Sequence, residues 1–370
     1  MAWEITWALI LGFFLSAIVQ AVVSKAEMIR LLPDHSPRSL AVASALGAAS
    51  SSCSYAAVAL ARSIFRKGAD FTAAMAFEFA STNLVVELGI LLALVVGWQF
   101  TLGEFVGGPL MIVILALLFR RFLRPSLIDA ARRQAERGLH GSMEGHGEMT
   151  MEAICGSLLS RVASPRGFTA ISHHFVMDWA AIWKDVAAGL LIAGALAAWV
   201  PNDLWQRLFL TSDPSLAAVW GPFIGPLIAV VSFVCSIGNV PLAAVLWNGG
   251  ISFGGVLAFI FADLIVLPIL DIYRRYYGLR MTAFLAVTFY IAMVGAALAV
   301  EAVFGVLDLI PHERVAQVVE ASITLNYTTV LNVGFLGVAG ILVWRFFRTG
   351  GREMLAMMDV TPETMSGGTA

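Results

Sequence analysis

Apolar residues in this chain run in long blocks, without the alternation that marks half-buried strands. A helix needs about 20 residues to cross a hydrocarbon layer. Read in windows of that length, the blocks fall near 5–24, 39–66, 71–97, 103–124, 180–200, 217–247, 253–272, 281–307 and 320–348. The first begins Met-Ala-Trp-Glu-Ile, has no basic flank and runs too long for a signal peptide, so it reads as a retained helix. The stretch 125–178 is the one long polar segment and divides the chain. Its start, Ser126 to Arg137, reads as a short basic amphipathic helix on the membrane surface, ended by Gly138. His140 to Met149 mixes His, Met and Glu with Gly. It fixes no two ligands on one face and reads as linker rather than as a soft-metal loop. The tail after Arg352 reads as a frayed end.

Composition narrows the class. Of 370 residues, 59% are apolar and 13% charged, with 23 Lys+Arg against 25 Asp+Glu, a formal charge of −2 and mean hydropathy +0.85. Soluble domains run at roughly 45–50% apolar and 25% charged. A soluble enzyme and a disordered chain are excluded, and there is no basic excess to neutralise nucleic acid. The three cysteines make no disulfide framework, and the chain carries no Walker A motif for ATP. The expected class is an all-α polytopic membrane protein, a transporter rather than an enzyme, with no cofactor, a small solute and the lipid bilayer as partners, and homo-oligomerisation open.

An internal repeat gives the organisation. Shifted by 182 positions without gaps, residues 53–80 fall on 235–262 with 11 of 28 positions identical, where shared composition would give roughly 3. The matches include Cys53 with Cys235, Ser54 with Ser236, Gly68 with Gly250, and the run Ala76-Phe77-x-Phe79-Ala80 with its counterpart at 258–262. Many secondary transporters are built from such repeats, with the solute site between them.

Charge then selects a topology. If all nine blocks cross the bilayer, Lys and Arg divide 13 to 10 between the two sides, a poor fit to the positive-inside rule. If 39–66 and 217–247 are re-entrant hairpins, the division becomes 21 to 2, with Arg207 and Arg314 outside. This arrangement has about seven crossing helices and two hairpins in two inverted repeats. Eight or nine plain crossing helices are the alternative, in which 39–66 forms one long tilted helix. The expected units are a first repeat 1–124, a cytoplasmic linker 125–178, a second repeat 179–307, an extra helix 308–348 and a flexible tail 349–370.

The hairpins carry the candidate chemistry. Around the first break stand Ser52, Cys53 and Ser54; around the second stand Cys235, Ser236 and Asn239, with Gly238 and Pro241 to interrupt the helix. Irregular backbone at membrane depth is tolerated where it lines a cavity. A lone buried cysteine is ordinarily a small apolar side chain. Two at repeat-related positions beside breaks point instead to soft-ligand chemistry. Glu78, Glu87 and Asp263 lie within apolar blocks, where a carboxylate is costly, and are candidate proton-coupling groups. A structural bridge from Glu78 or Glu87 to Arg62 is the competing reading. Asp271, beside Arg274 and Arg275, reads as a solvated ion pair. A membrane thiol oxidoreductase is the competing function, against which stands the lack of any C-x-x-C.

Cys235-Ser-Ile-Gly-Asn-Val-Pro-Leu, then Gly250, Ala258-Phe259 and Tyr276-Tyr277-Gly278, resemble the bacterial predicted-permease family that includes the organoarsenical efflux permease ArsP, over roughly 5–305. The resemblance implies export of small solutes across the inner membrane, with trivalent methylated arsenicals as the best-known class. It also implies a functional cysteine at Cys53 and Cys235. The first motif departs from the family pattern: Cys53-Ser-Tyr-Ala-Ala-Val-Ala has neither a second Cys nor a Pro. Another soft solute or a metal ion therefore stays open as cargo.

Overall fold

The computed structural model describes residues 34–50, 54–66, 68–136, 164–199, 201–232, 236–314 and 327–352, with scattered residues of 6–18 and residues 32, 162, 316 and 355 besides. The described secondary structure is helical. Six helical stretches are long and apolar enough to cross a membrane: 71–95, 98–122, 214–232, 253–277, 279–306 and 329–348.

The first half comprises α1 (Pro37–Ser50), α2 (Ser54–Arg66), α3 (Phe71–Asn83), α4 (Val86–Val95) and α5 (Trp98–Phe122). A continuous helix over 39–66 would hold its ends about 40 Å apart. Instead the Asp70 amide donates to Leu32 O at 3.2 Å, and His35 Nδ1 stands 3.3 Å from Asp70. The α1–α2 segment therefore leaves and returns to the same end of α3. α1 runs parallel to α3 and lies so close that a Cβ on Gly47 would stand 2.3 Å from Phe77 O. Gly68, at φ +111°, makes the return turn, and Asp70 caps α3 by accepting from the Thr72 and Ala73 amides.

The second half repeats this path in α9 (Pro214–Ser232), α10 (Ser236–Gly249), α11 (Phe253–Phe261), a 3-10 turn (Ala262–Ile265), α12 (Leu267–Tyr277) and α13 (Leu279–Val306). α9 runs parallel to α11: a Cβ on Gly225 would stand 2.4 Å from Gly255 O, and one on Gly221 2.1 Å from Ser252 Oγ. A Cβ on Gly250, φ +107°, would stand 2.6 Å from Thr211, so this segment too returns to its starting end. Ser252 caps α11 through the Gly255 amide. Helix starts recur 182 positions on: Ser54 and Ser236, Phe71 and Phe253.

The repeat also extends further than the identities suggest. Arg132 donates to Phe65 O at 2.9 Å and Ala69 O at 3.3 Å, with its guanidinium 4.2 Å from the Phe65 ring centre. Arg314, again 182 positions on, donates to Trp247 O at 3.0 Å and Ile251 O at 2.6 Å, lying 4.2 Å from the Trp247 ring centre. Each arginine adds a side-chain donor to one carbonyl before its turn and one within it; Phe65 O and Trp247 O accept from the Gly68 and Gly250 amides as well. The long helices α5 and α13 occupy equivalent places but run antiparallel: Gly107 faces Val300, and Ile114 faces Gly295.

α6 (Pro125–Glu136) falls on the stretch expected to form a short amphipathic helix, and one face of it packs on the bundle. Its Ala131 and Ala135 are fully buried, and it packs on α2, α12 and α13. Arg62 Nη2 reaches Ala135 O at 2.8 Å, tying this helix to the hairpin. The polar segment is also shorter than expected. α7 (Pro165–Trp199) begins well before residue 179, because Ser164 caps it through the Gly167 amide and Pro165 suits a first helical position. α8 (Asn202–Leu208) follows. α14 (Tyr327–Arg348) packs on α7 through Ser172 Oγ to Leu342 O at 2.6 Å.

Candidate functional site

The two halves meet at the 3-10 turn. Pro268, at the start of α12, cannot continue α11, so the helix tightens and stops over 262–265. That turn packs against α9 and α10 and carries Asp263, which is fully buried. Asp263 Oδ2 accepts the Ser54 hydroxyl at 2.7 Å. Ser54 opens α2, so the bond joins the α1–α2 segment to the second half.

Glu78, fully buried on α3, accepts a short hydrogen bond from the Tyr273 hydroxyl of α12, another link between the halves. Its second oxygen has no hydrogen-bond partner. Glu104 of α5 is fully buried as well, with neither oxygen bonded among the described residues. Asp263 lies within electrostatic reach of both Glu78 and Glu104. On the second hairpin, buried Asn239 Oδ1 receives the Ser232 hydroxyl at 3.4 Å, while its Nδ2 has no partner.

The structure thus brings together Ser54, Asp263 and Glu78 of the residues expected from sequence, and puts Asn239 in the first turn of α10, which Gly238 and Pro241 do not interrupt. Glu87 is buried in the first turn of α4, where a carboxylate also suits the helix dipole. Ser52, Cys53 and Cys235 lie outside the described residues; Ser236 opens α10. The bridge from Glu78 to Arg62 gives way to other pairings: Glu78 takes Tyr273, and Arg62 lies 4.1 Å over the Tyr276 ring. Asp271 pairs with Arg274 at 2.7 Å and Arg275 at 2.8 Å on the exposed side, as expected.

Sequence reasoning passed over Glu104 and Tyr273. The apolar block there was read from residue 103, which leaves Glu104 at an edge. The helix begins at Trp98, more than a turn earlier, and carries Glu104 inward. An acid followed by Gly107 and Gly108 was the available signal, because small residues let a neighbouring helix close over the carboxylate.

A family model described as "Predicted permease" (ArsP_1) matches residues 1–302. The chain belongs to the predicted-permease family. It is also 65% identical over 343 residues to "Putative permease Rv2963" of Mycobacterium tuberculosis (strain ATCC 25618 / H37Rv), covering 92% of this chain and 84% of that protein. No solved structure matches. The family and the six candidate spans make this a multi-pass membrane transporter whose partners are the bilayer and a small solute.

Proposed function

We propose that this permease is a secondary-active exporter of the bacterial inner membrane. Its cargo is a small thiophilic solute such as a trivalent organoarsenical or a soft metal species, and proton movement is coupled to export. In this reading the α1–α2 and α9–α10 segments are re-entrant hairpins of two inverted repeats that enter from opposite faces, with seven crossing helices around them. Support comes from the way each segment returns to its starting end, from antiparallel α5 and α13, and from the 21-to-2 division of Lys and Arg.

The observation that carries the reading is the Ser54–Asp263 hydrogen bond at 2.7 Å. It joins the residue after the first break to a buried carboxylate of the other half, so a movement of one half on the other must remake it. Alternating access needs such an interface between two arrangements. Ser52, Cys53, Ser54, Cys235, Ser236 and Asn239 are the proposed solute groups, with the two thiols as soft ligands. Glu78, Glu87 and Asp263 are the proposed coupling carboxylates.

The test is flux of a trivalent methylarsenical in proteoliposomes under an imposed pH gradient, alongside resistance in a sensitive host. Gradient-driven flux is expected, with at least a tenfold loss in the Cys53→Ser plus Cys235→Ser double variant. Unchanged flux in that variant removes the thiols from the site. Flux indifferent to the gradient removes proton coupling.

A further inference from the structure

Glu104 has the least satisfied side chain in the core. Both carboxylate oxygens are buried without a hydrogen bond, and the residue is 0% exposed. Its helix face is turned to the second half: a Cβ on Gly103 would stand 2.8 Å from Leu257, and one on Gly107 2.6 Å from Phe261. Toward the Phe71 end of α3, the Tyr277 hydroxyl is a separate buried group without a hydrogen-bond partner among the described residues, within electrostatic reach of Glu78. Among the described residues neither Glu78 nor Glu104 has a basic group at ion-pair distance. Several like charges packed into a low-dielectric interior repel strongly, and a buried unpaired carboxylate costs several kcal/mol. Such a cluster needs a proton or a cation. Among the described residues no three His, Cys, Asp or Glu side chains are grouped closely enough to hold a metal ion.

We propose that Glu104 is a proton-carrying group of the translocation centre, exchanging its proton with the neighbouring Asp263 as the halves move. This rests on the permease reading above and adds a carrier for the proton it invokes. The elements packed on α5 are α3, α4, α11 and α13. They and the turn after α11 offer Glu78, Glu87, Asp263, Arg280, Tyr290 and Glu301 as charged or titratable groups; of these, Asp263 acts on Glu104. Asp263 is held by Ser54, so closing or opening the first hairpin changes what Asp263 can offer Glu104. Loss of the proton to Asp263 leaves one carboxylate and one carboxylic acid, and a return of the halves reverses it; no other reactant is needed.

The test is pH-difference infrared spectroscopy on the full chain in liposomes, read at the carboxyl C=O stretch without any solute. The wild type is expected to show a buried carboxylic-acid component that is absent in Glu104→Gln and shifted in Glu104→Asp. A Glu104→Gln spectrum superimposable on that of the wild type overturns the proposal. If Gln does not fold, the Asp variant decides by the same shift. Removal of the component by sodium at fixed pH overturns the proton in favour of a sodium ion. A wild type that shows the component but moves no arsenical leaves this inference standing and sinks the solute reading; the converse result separates them the other way.

Discussion

At residues 65–70 and 247–252 the two halves make the same turn from the same parts. A glycine at positive φ reverses the chain, a side-chain oxygen caps the next helix, and an arginine 182 positions from its twin clips two carbonyls over an aromatic ring. Where the halves meet, the likeness ends. Glu78 has Ile260 as its counterpart, Glu104 has Ala286, and Asp263 has Ser81. The crossing of Gly107 on Phe261 is answered by Phe289 on Phe79, with ring centres 4.5 Å apart. The duplicated features build the scaffold, and the unduplicated ones bring acids from both halves to one level. Among the described residues a cavity of about 770 Å³ lies beside the second turn, lined by Trp247, Asn248, Glu301 and Arg314. The equivalent place in the first half is occupied by α6.

The largest expected effects test the close approaches. Gly47→Leu and Gly225→Leu each drive a Cβ into a backbone carbonyl, at 2.3 Å and 2.4 Å. Backbone gives way less readily than a side chain, so a cost of about 3 kcal/mol or more is expected. Gly334→Leu, with nothing within 4 Å, is the control. Thermal unfolding in detergent should lose the first two and spare the third; equal melting of all three would show that the helix contacts are looser than described.

Next come the clamps. Arg132→Ala removes two charged hydrogen bonds and a ring contact, worth about 2 kcal/mol together. Arg314→Ala removes the same set beside the cavity and should cost about half as much, because water can reach the freed carbonyls. A larger loss at Arg314 would invert the comparison.

The turns come third. Gly68→Ala and Gly250→Ala both place a side chain at positive φ, at about 1 kcal/mol. Gly250→Ala adds a contact at 2.6 Å with Thr211, whereas Gly68→Ala meets nothing within 4 Å. The second variant should therefore melt below the first, and identical melting would discount the Thr211 contact.

The smallest effect concerns the hairpin entrances. Asp34 precedes α1 as Asp213 precedes α9, each accepting from nearby amides. Hydrogen bonds from the Ser39 and Ser36 hydroxyls and the Ser36 amide hold the Asp34 carboxyl down at about 2. Its lowered value means that the stabilisation is complete above the ordinary carboxylate range and disappears as pH falls toward 2. Melting of Asp34→Asn should lose that part of the acid dependence; a profile parallel to that of the wild type would contradict it.

The linear chain determined the class and the plan of this protein. Long apolar blocks with few charges leave the bilayer as the only solvent in which such helices are satisfied. The match of Gly68 with Gly250 located both turns, because a positive φ favours glycine, whereas Gly238, Asn239 and Pro241, expected to interrupt a helix, lie inside α10. Tertiary structure decided the pairings. Nothing in the spacing of Ser54 and Asp263, 209 residues apart, foretells their bond, nor that Glu78 would take Tyr273 rather than Arg62. Nor does the chain show that Arg132, read as part of an amphipathic helix, and Arg314, counted among the outside charges, lie over the two turns. Local propensity fixes where a helix starts and stops, but which side chains meet depends on how whole helices pack, and burial acts on that packing alone.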